Sequence, residues 1–146
     1  LLDLAHEDRR DRRAHADALA GQTVLMHFTK PSTRTRISFE SAIARLGGIP
    51  VFTGRDELQL GRGEPIADTA RVVSRYCSAM VIRTFHQAEV EEFAAWSAIP
   101  VVNALTDLHH PCQALADLMT LEQRFGDLHG EPCGGHDAHQ ERATRT

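Results

Sequence analysis

Aromatic residues make up only 5% of this 146-residue chain, with a single tryptophan and a single tyrosine. So few rings leave no stacking platform of the kind that single-stranded nucleic acid needs. An excess of positive charge is also missing: the formal net charge is -4, whereas nucleic-acid-binding domains usually carry a basic footprint. No stretch approaches the roughly 18 consecutive apolar residues that cross a bilayer. Leu1 to Arg13 lack the basic-then-apolar order of a secretion signal. These absences lead us to expect a cytoplasmic protein with neither nucleic acid nor membrane as a partner. Cysteine is scarce as well: Cys77, Cys112 and Cys133 are an odd, widely spaced set that builds no disulfide framework and agrees with a reducing compartment. Lysine is almost absent, since of 16 basic side chains only Lys30 is not arginine. Arginine offers a fixed planar fork for phosphate or carboxylate. A GC-rich genome would account for most of the arginines, so only position singles any of them out.

What remains is ordinary for one globular domain, with 42% hydrophobic and 25% charged residues. Leu4 to Leu19 reads as a charged surface helix ended by Gly21. Thr23 to Phe28 is a short apolar run of strand type, Thr29 to Ser32 has loop chemistry, and Thr33 to Leu46 carries helical periodicity closed by Gly47-Gly48. The unit then repeats. Ile49 to Thr53 reads as a strand, Gly54 to Gly63 as a long loop, and Glu64 to Tyr76 as a helix with Pro65 in its first turn. Ala79 to Ile82 is a third strand before a helix from Gln87 to Trp96. Pro100 to Asn103 is a fourth strand, and Pro111 to Phe125 a helix with proline at its first position. The alternation predicts an α/β domain of three layers, a four-stranded, mostly parallel sheet flanked by helices on both faces. In such sheets ligands bind beyond the carboxyl ends of the strands, so the loops after Phe28, Thr53, Ile82 and Asn103 are where chemistry is sought. Glu131 to Thr146 contains no Val, Ile, Leu, Met or aromatic residue and is expected to be a disordered tail.

Two of those loops are dense in polar function. Ser32-Thr33-Arg34-Thr35-Arg36 stands at a strand-to-helix junction, where orphan backbone N–H groups, hydroxyls and a guanidinium together make an oxyanion cradle. A plain helix cap with solvated arginines is the simpler reading of any one of these residues; five of them in a row after an apolar strand favour the cradle. Leu108-His109-His110-Pro111-Cys112-Gln113 opens the last helix. His110 and Gln113, three residues apart, can face one pocket and hydrogen-bond a carbonyl or amide of a small ligand, whereas His109 reads as exposed or packing. Arg83 follows Met80-Val81-Ile82 and places a guanidinium at a strand end, either in an ion pair or on a phosphate or carbonyl. His110, Cys112, Cys133, His136 and His139 are metal-ligand types, but their spacing fits no closed zinc pattern, so no metal is expected.

The segment Phe28-x-Lys30-x-Ser32-Thr33-Arg34-Thr35-Arg36-x-Ser38-Phe39, the loop Leu58-Gln59-Leu60-Gly61-Arg62-Gly63-Glu64 and His110-Pro111-Cys112-Gln113 resemble, in order and placement, the aspartate/ornithine carbamoyltransferase family. The resemblance covers about residues 1–130 and matches the amino-terminal, carbamoyl phosphate-binding domain; Lys30, Leu-Gly-Arg-Gly-Glu and His-Pro-Cys-Gln look like the ornithine branch. It implies that Ser32, Thr33, Arg34 and Thr35 bind the phosphate, while the catalytic residues Arg83, His110 and Gln113, with the Thr35 hydroxyl, surround the carbamoyl group. It further implies that Gln59 reaches the phosphate of a neighbouring subunit in a homotrimer. The reaction implied is attack by the δ-amine of ornithine on carbamoyl phosphate, giving citrulline and phosphate in arginine metabolism, with no covalent intermediate, metal or cofactor.

The family's second domain carries Asp, Ser-Met and Cys-Leu-Pro elements that bind the amino acid, and none of them follows Gly130. The expectation is therefore a chain truncated to its carbamoyl phosphate half, with residues 131–146 a non-family tail and ornithine bound only if a second domain is supplied. A non-catalytic phosphate-binding or assembly module remains a competing reading, as does half of an aspartate-type or other carbamoyltransferase. A lysine of the aspartate branch has Gly63 near its position here, which favours the ornithine side.

Overall fold

The computed structural model describes residues 1–55, 57–58, 63–126 and 128. The element order is α1 (Leu2–Arg10), β1 (Thr23–Phe28), α2 (Thr33–Arg45), β2 (Ile49–Gly54), α3 (Ile66–Tyr76), β3 (Ala79–Arg83), α4 (Gln87–Trp96), β4 (Val101–Leu105) and α5 (Pro111–Phe125). The four strands form one sheet in the order β2-β1-β3-β4, and every pairing is parallel. The α/β class and the flanked four-stranded sheet agree with the expectation, and the sheet is wholly parallel.

A sheet covered on both faces must send apolar side chains both ways, and the strands do so with period two. Leu25, Met80 and Ile82 face one way and pack with Ala70 and Val73 of α3 and Val90 and Phe93 of α4. Val24, Met26, Phe28 and Val81 face the other way and pack with Ile43 of α2 and Ala104 of β4. Met26 and Met80 are fully buried, each contributing about 1.5–3 kcal/mol of apolar burial. Ser32 is extended and caps α2, its Oγ accepting from the Thr35 amide at 3.4 Å. Pro111 opens α5, where its missing N–H costs nothing.

Several boundaries differ from the sequence reading, most by one or two residues. The first helix stops at Arg10, and residues 12–21 run in turns rather than helix. Asp11 explains the stop: its carboxylate accepts from the Arg13 amide at 2.9 Å, a local bond that competes with helix continuation. Pro65 is the cap before α3 rather than part of its first turn. The fourth strand begins after Pro100 and continues past Asn103 to Leu105, because the Leu105 carbonyl still accepts from the Thr84 amide at 3.0 Å. The expected tail at 131–146 lies outside the described residues.

Strand order locates the crevice. The chain leaves β1 for the outer strand β2, then returns across β1 to β3 and β4. Successive connections therefore diverge between β1 and β3, and a cleft opens there at the carboxyl edge.

Candidate active site

A cavity of about 480 Å3 lies at that edge on the α2/α5 face. Of the residues singled out in the sequence, Ser32, Arg34, Thr35, Arg83, His110 and Gln113 all line it, joined by Ser38, Cys112 and the apolar Leu105 and Phe39. Two helix N-termini and one strand end thus converge on one volume. The α2 terminus supplies orphan donors, since the Thr35 amide is capped by Ser32 Oγ and the Arg36 amide by the Ser32 carbonyl, which leaves Thr33 and Arg34 N–H without an intrahelical acceptor. The positive end of the helix dipole adds to their attraction for an anion.

The two arginines of the cradle separate. Arg36 donates to Glu40 at 2.8 Å and lies 3.6 Å over the Phe52 ring, so it braces α2 against β2. Arg34 makes no ion pair among the described residues and borders the cavity. The Thr33 side chain opens instead onto a neighbouring groove with Phe28 and Phe52, leaving its backbone amide as its means of reaching an anion. Gln59 lies outside the described residues.

Arg83 is half-buried at the end of β3 and donates from Nη1 to Thr35 Oγ1 at 3.4 Å. Its Nε is buried with no partner. Burial disfavours the charged guanidinium and lowers its pKa, while the unpaired Nε leaves a buried donor open to an acceptor. His110 caps α5: Nδ1 accepts from the Gln113 amide at 3.3 Å, so the neutral ring carries its proton on Nε2 as a donor. Gln113 gives its carboxamide N–H to Asp117 at 2.8 Å, which leaves Oε1 as an acceptor. His110 and Gln113 are therefore fixed in opposite senses, one to give a hydrogen bond and one to take it. Cys112 donates to the Asn103 carbonyl, and burial raises its pKa, so it stays a thiol. The sequence reading missed Asp117, although its i+4 spacing from Gln113 is the signal for such a brace. His109 is exposed, with its amide on Thr106 Oγ1 at 3.0 Å.

Loop ties hold these groups in place. The Thr29 amide donates to the Arg83 carbonyl at 2.9 Å and the Asp107 amide to the Phe85 carbonyl at 2.9 Å. Lys30 reaches Asp107 at 2.9 Å. Among the described residues no group of three metal-ligating side chains forms, and no helix is long and apolar enough to cross a membrane.

The fold and this donor set define a parallel α/β domain that gathers two helix N-termini and two guanidinium groups around one cavity at the carboxyl edge of its sheet. Residues 1–123 match the family described as aspartate/ornithine carbamoyltransferase, carbamoyl-P binding domain, and the chain belongs to that family. It is 52% identical over 132 residues to the ornithine carbamoyltransferase of Parasynechococcus marenigrum, covering 90% of this chain and 41% of that protein. Among solved structures it is similar to the ornithine carbamoyltransferases of Pyrococcus furiosus (46% identity, TM-score 0.79, covering 87% of this chain and 40% of that one) and Thermus thermophilus (42% identity, TM-score 0.82, covering 88% and 45%). The chain spans about two fifths of the length of the curated relatives it matches.

Proposed function

We propose that this chain is the carbamoyl phosphate-binding half of an ornithine carbamoyltransferase. The observation that carries the reading is the convergence of Arg34 and the α2 amides with Arg83, His110 and Gln113 on one cavity. Phosphate oxygens take the Thr33 and Arg34 amides, the Arg34 guanidinium and the Ser32 and Thr35 hydroxyls. The carbamoyl oxygen takes His110 Nε2–H and Arg83, and the carbamoyl NH2 donates to Gln113 Oε1. As an amine attacks the carbamoyl carbon, negative charge develops on that oxygen, and donors already aimed there stabilise it. The tetrahedral intermediate then collapses as the C–O bond to phosphate breaks. The departing phosphate takes the proton that the amine loses and stays, as the hydrogen phosphate dianion, on the α2 terminus and Arg34.

Proximity requires both reactants to be held together, and the residues that the family resemblance assigns to ornithine lie beyond the span matched here. Turnover to citrulline, in arginine metabolism, is therefore proposed for this domain together with an amino-acid-binding domain. Assembly as a cytoplasmic homotrimer, with Gln59 completing a neighbour's phosphate site, belongs to the same reading. The test is calorimetry with carbamoyl phosphate on the full chain. Saturable binding that Arg34→Ala abolishes is expected; no binding at millimolar ligand overturns the reading. Sedimentation showing only monomer at high concentration removes the trimer and the role of Gln59.

A second reading, a phosphate-binding module that never meets an amine, is favoured by the same cradle taken alone. It is separated by mixing the chain with an amino-acid-binding domain and measuring citrulline.

A further inference from the structure

On the opposite face of the sheet, at the same carboxyl edge, lies a second cavity of about 250 Å3. Its polar lining comprises His27 of β1, Thr29, Thr84, Glu89 of α4 and Glu64, with Arg55 as the one cation among the described residues. Ile66, Ile82 and Phe93 form an apolar wall. His27 is only 2% exposed and occupies a strand position whose neighbours on this face are core residues.

The hydrogen bonds assign donors and acceptors one by one. Thr29 Oγ1 donates to Thr84 Oγ1 at 2.9 Å, and the Thr84 hydroxyl donates to Glu89 Oε2. The Thr53 hydroxyl donates to the Met26 carbonyl at 3.5 Å, so at 3.1 Å it accepts from His27 Nδ1–H. Every hydroxyl proton is spent within the protein. Burial, the largest influence on His27, lowers its pKa and keeps the ring neutral, against the opposing pull of Glu89 on α4 and Glu57 in the loop after β2. The neutral ring then carries an unprotonated Nε2 that has no hydrogen-bond partner among the described residues. Among the described residues, what the cavity offers a guest is that nitrogen, the second oxygen of Glu89 and the Glu64 carboxylate: acceptors, with two carboxylates against the Arg55 guanidinium.

We propose that this cavity is a binding site for a primary alkylammonium ion. The ammonium N–H groups fill His27 Nε2 and the Glu89 and Glu64 carboxylates, and the alkyl stem lies on Ile66, Ile82 and Phe93. The site differs from the carbamoyl phosphate cavity in face and in sign, and does not depend on what that cavity binds.

The test titrates n-butylammonium into the full chain, followed by calorimetry and by nitrogen NMR of the His27 ring. Saturable binding with movement of the Nε2 resonance is expected, and n-butanol, of similar shape and uncharged, produces neither. Glu89→Gln weakens binding by about tenfold or more, the loss of one charge-assisted hydrogen bond, while phosphate affinity stays unchanged and reports an intact fold. An Nε2 resonance that does not move at millimolar amine overturns the proposal, as does equal binding of butanol or unaltered affinity in Glu89→Gln. If the variant does not fold, the wild-type resonance and the butanol comparison decide alone.

Discussion

The two cavities at the carboxyl edge share strands β1 and β3 and oppose each other in chemistry. On the α2/α5 face the lining mostly gives hydrogen bonds, from helix amides, two guanidinium groups and His110, with Gln113 Oε1 as an acceptor among them. On the α3/α4 face it takes them, through His27, Glu64 and Glu89. Adjacent residues feed opposite sides: Arg83 borders the first cavity and Thr84 the second. The pleat of a buried parallel sheet thus sorts the described residues into two cavities of contrasting lining, and the sheet between them is the barrier to be tested.

The most damaging change attacks that barrier from the acceptor side. Phe93 is 2% exposed, packs from α4 into the core against the sheet and lines the second cavity. Phe93→Ala is expected to cost about 3–5 kcal/mol of stability, read as a lower urea midpoint with an unchanged slope. Phosphate affinity of the folded fraction should survive, because no phosphate-facing group touches this ring. An equal fall in affinity would show that the two faces act as one.

The donor side has a sharper probe. His110→Asn retains an acceptor suited to capping α5 but removes the Nε2–H. Carbamoyl phosphate affinity should fall about tenfold, the worth of one hydrogen bond to a developing or full charge. Inorganic phosphate affinity and the urea midpoint should stay near wild type. Equal loss for both ligands would move His110 from the carbonyl to the phosphate.

Acid separates the faces by sign. His27 has a lowered folded-state pKa, so below the ordinary value of 6.5 the unfolded chain binds a proton that the folded chain refuses. Stability present above that value is lost as pH falls through it, and the loss levels off below the folded pKa. His15 is shifted the other way by its bond to Asp8, and its contribution fades as pH rises through its folded value. The difference between wild type and His27→Val isolates the first slope; an identical acid profile in the two proteins would remove His27 as its source.

Much of this was legible in the residues. Short apolar runs alternating with helical periodicity gave the strands and helices, because a doubly covered parallel sheet writes both periods plainly. The Ser32 to Thr35 cradle and the His110–Gln113 pair stood at strand ends, where orphan amides and ligands meet. What period and motif do not carry is partnership across distance. Arg34 and Arg36 look equivalent until Glu40 and Phe52 claim one of them. His27 reads as one polar residue in an apolar strand, and its setting depends on Thr84 and Glu89, more than fifty residues away. The first helix is shorter than its pattern predicts because a local side-chain bond at Asp11 outweighs the pattern.

The smallest expected effect concerns the one lysine. Lys30 and Asp107 join the loops after β1 and β4 across the end of β3, and Lys30 also lies 4.8 Å from the centre of the Phe85 ring. Both side chains are partly exposed, at 32% and 57%, so the pair contributes about 0–1 kcal/mol and less in high salt. Asp107→Asn should therefore leave the urea midpoint almost unmoved. It should also leave inorganic phosphate affinity in place, because the α2 cradle is complete without Asp107. Carbamoyl phosphate spans the α2 and α5 termini, so its affinity should weaken by a few-fold as the two loops lose their tie. A gain in phosphate affinity would instead mean that Asp107 holds Lys30 back from the anion, and would put the lysine among the phosphate donors of the first cavity.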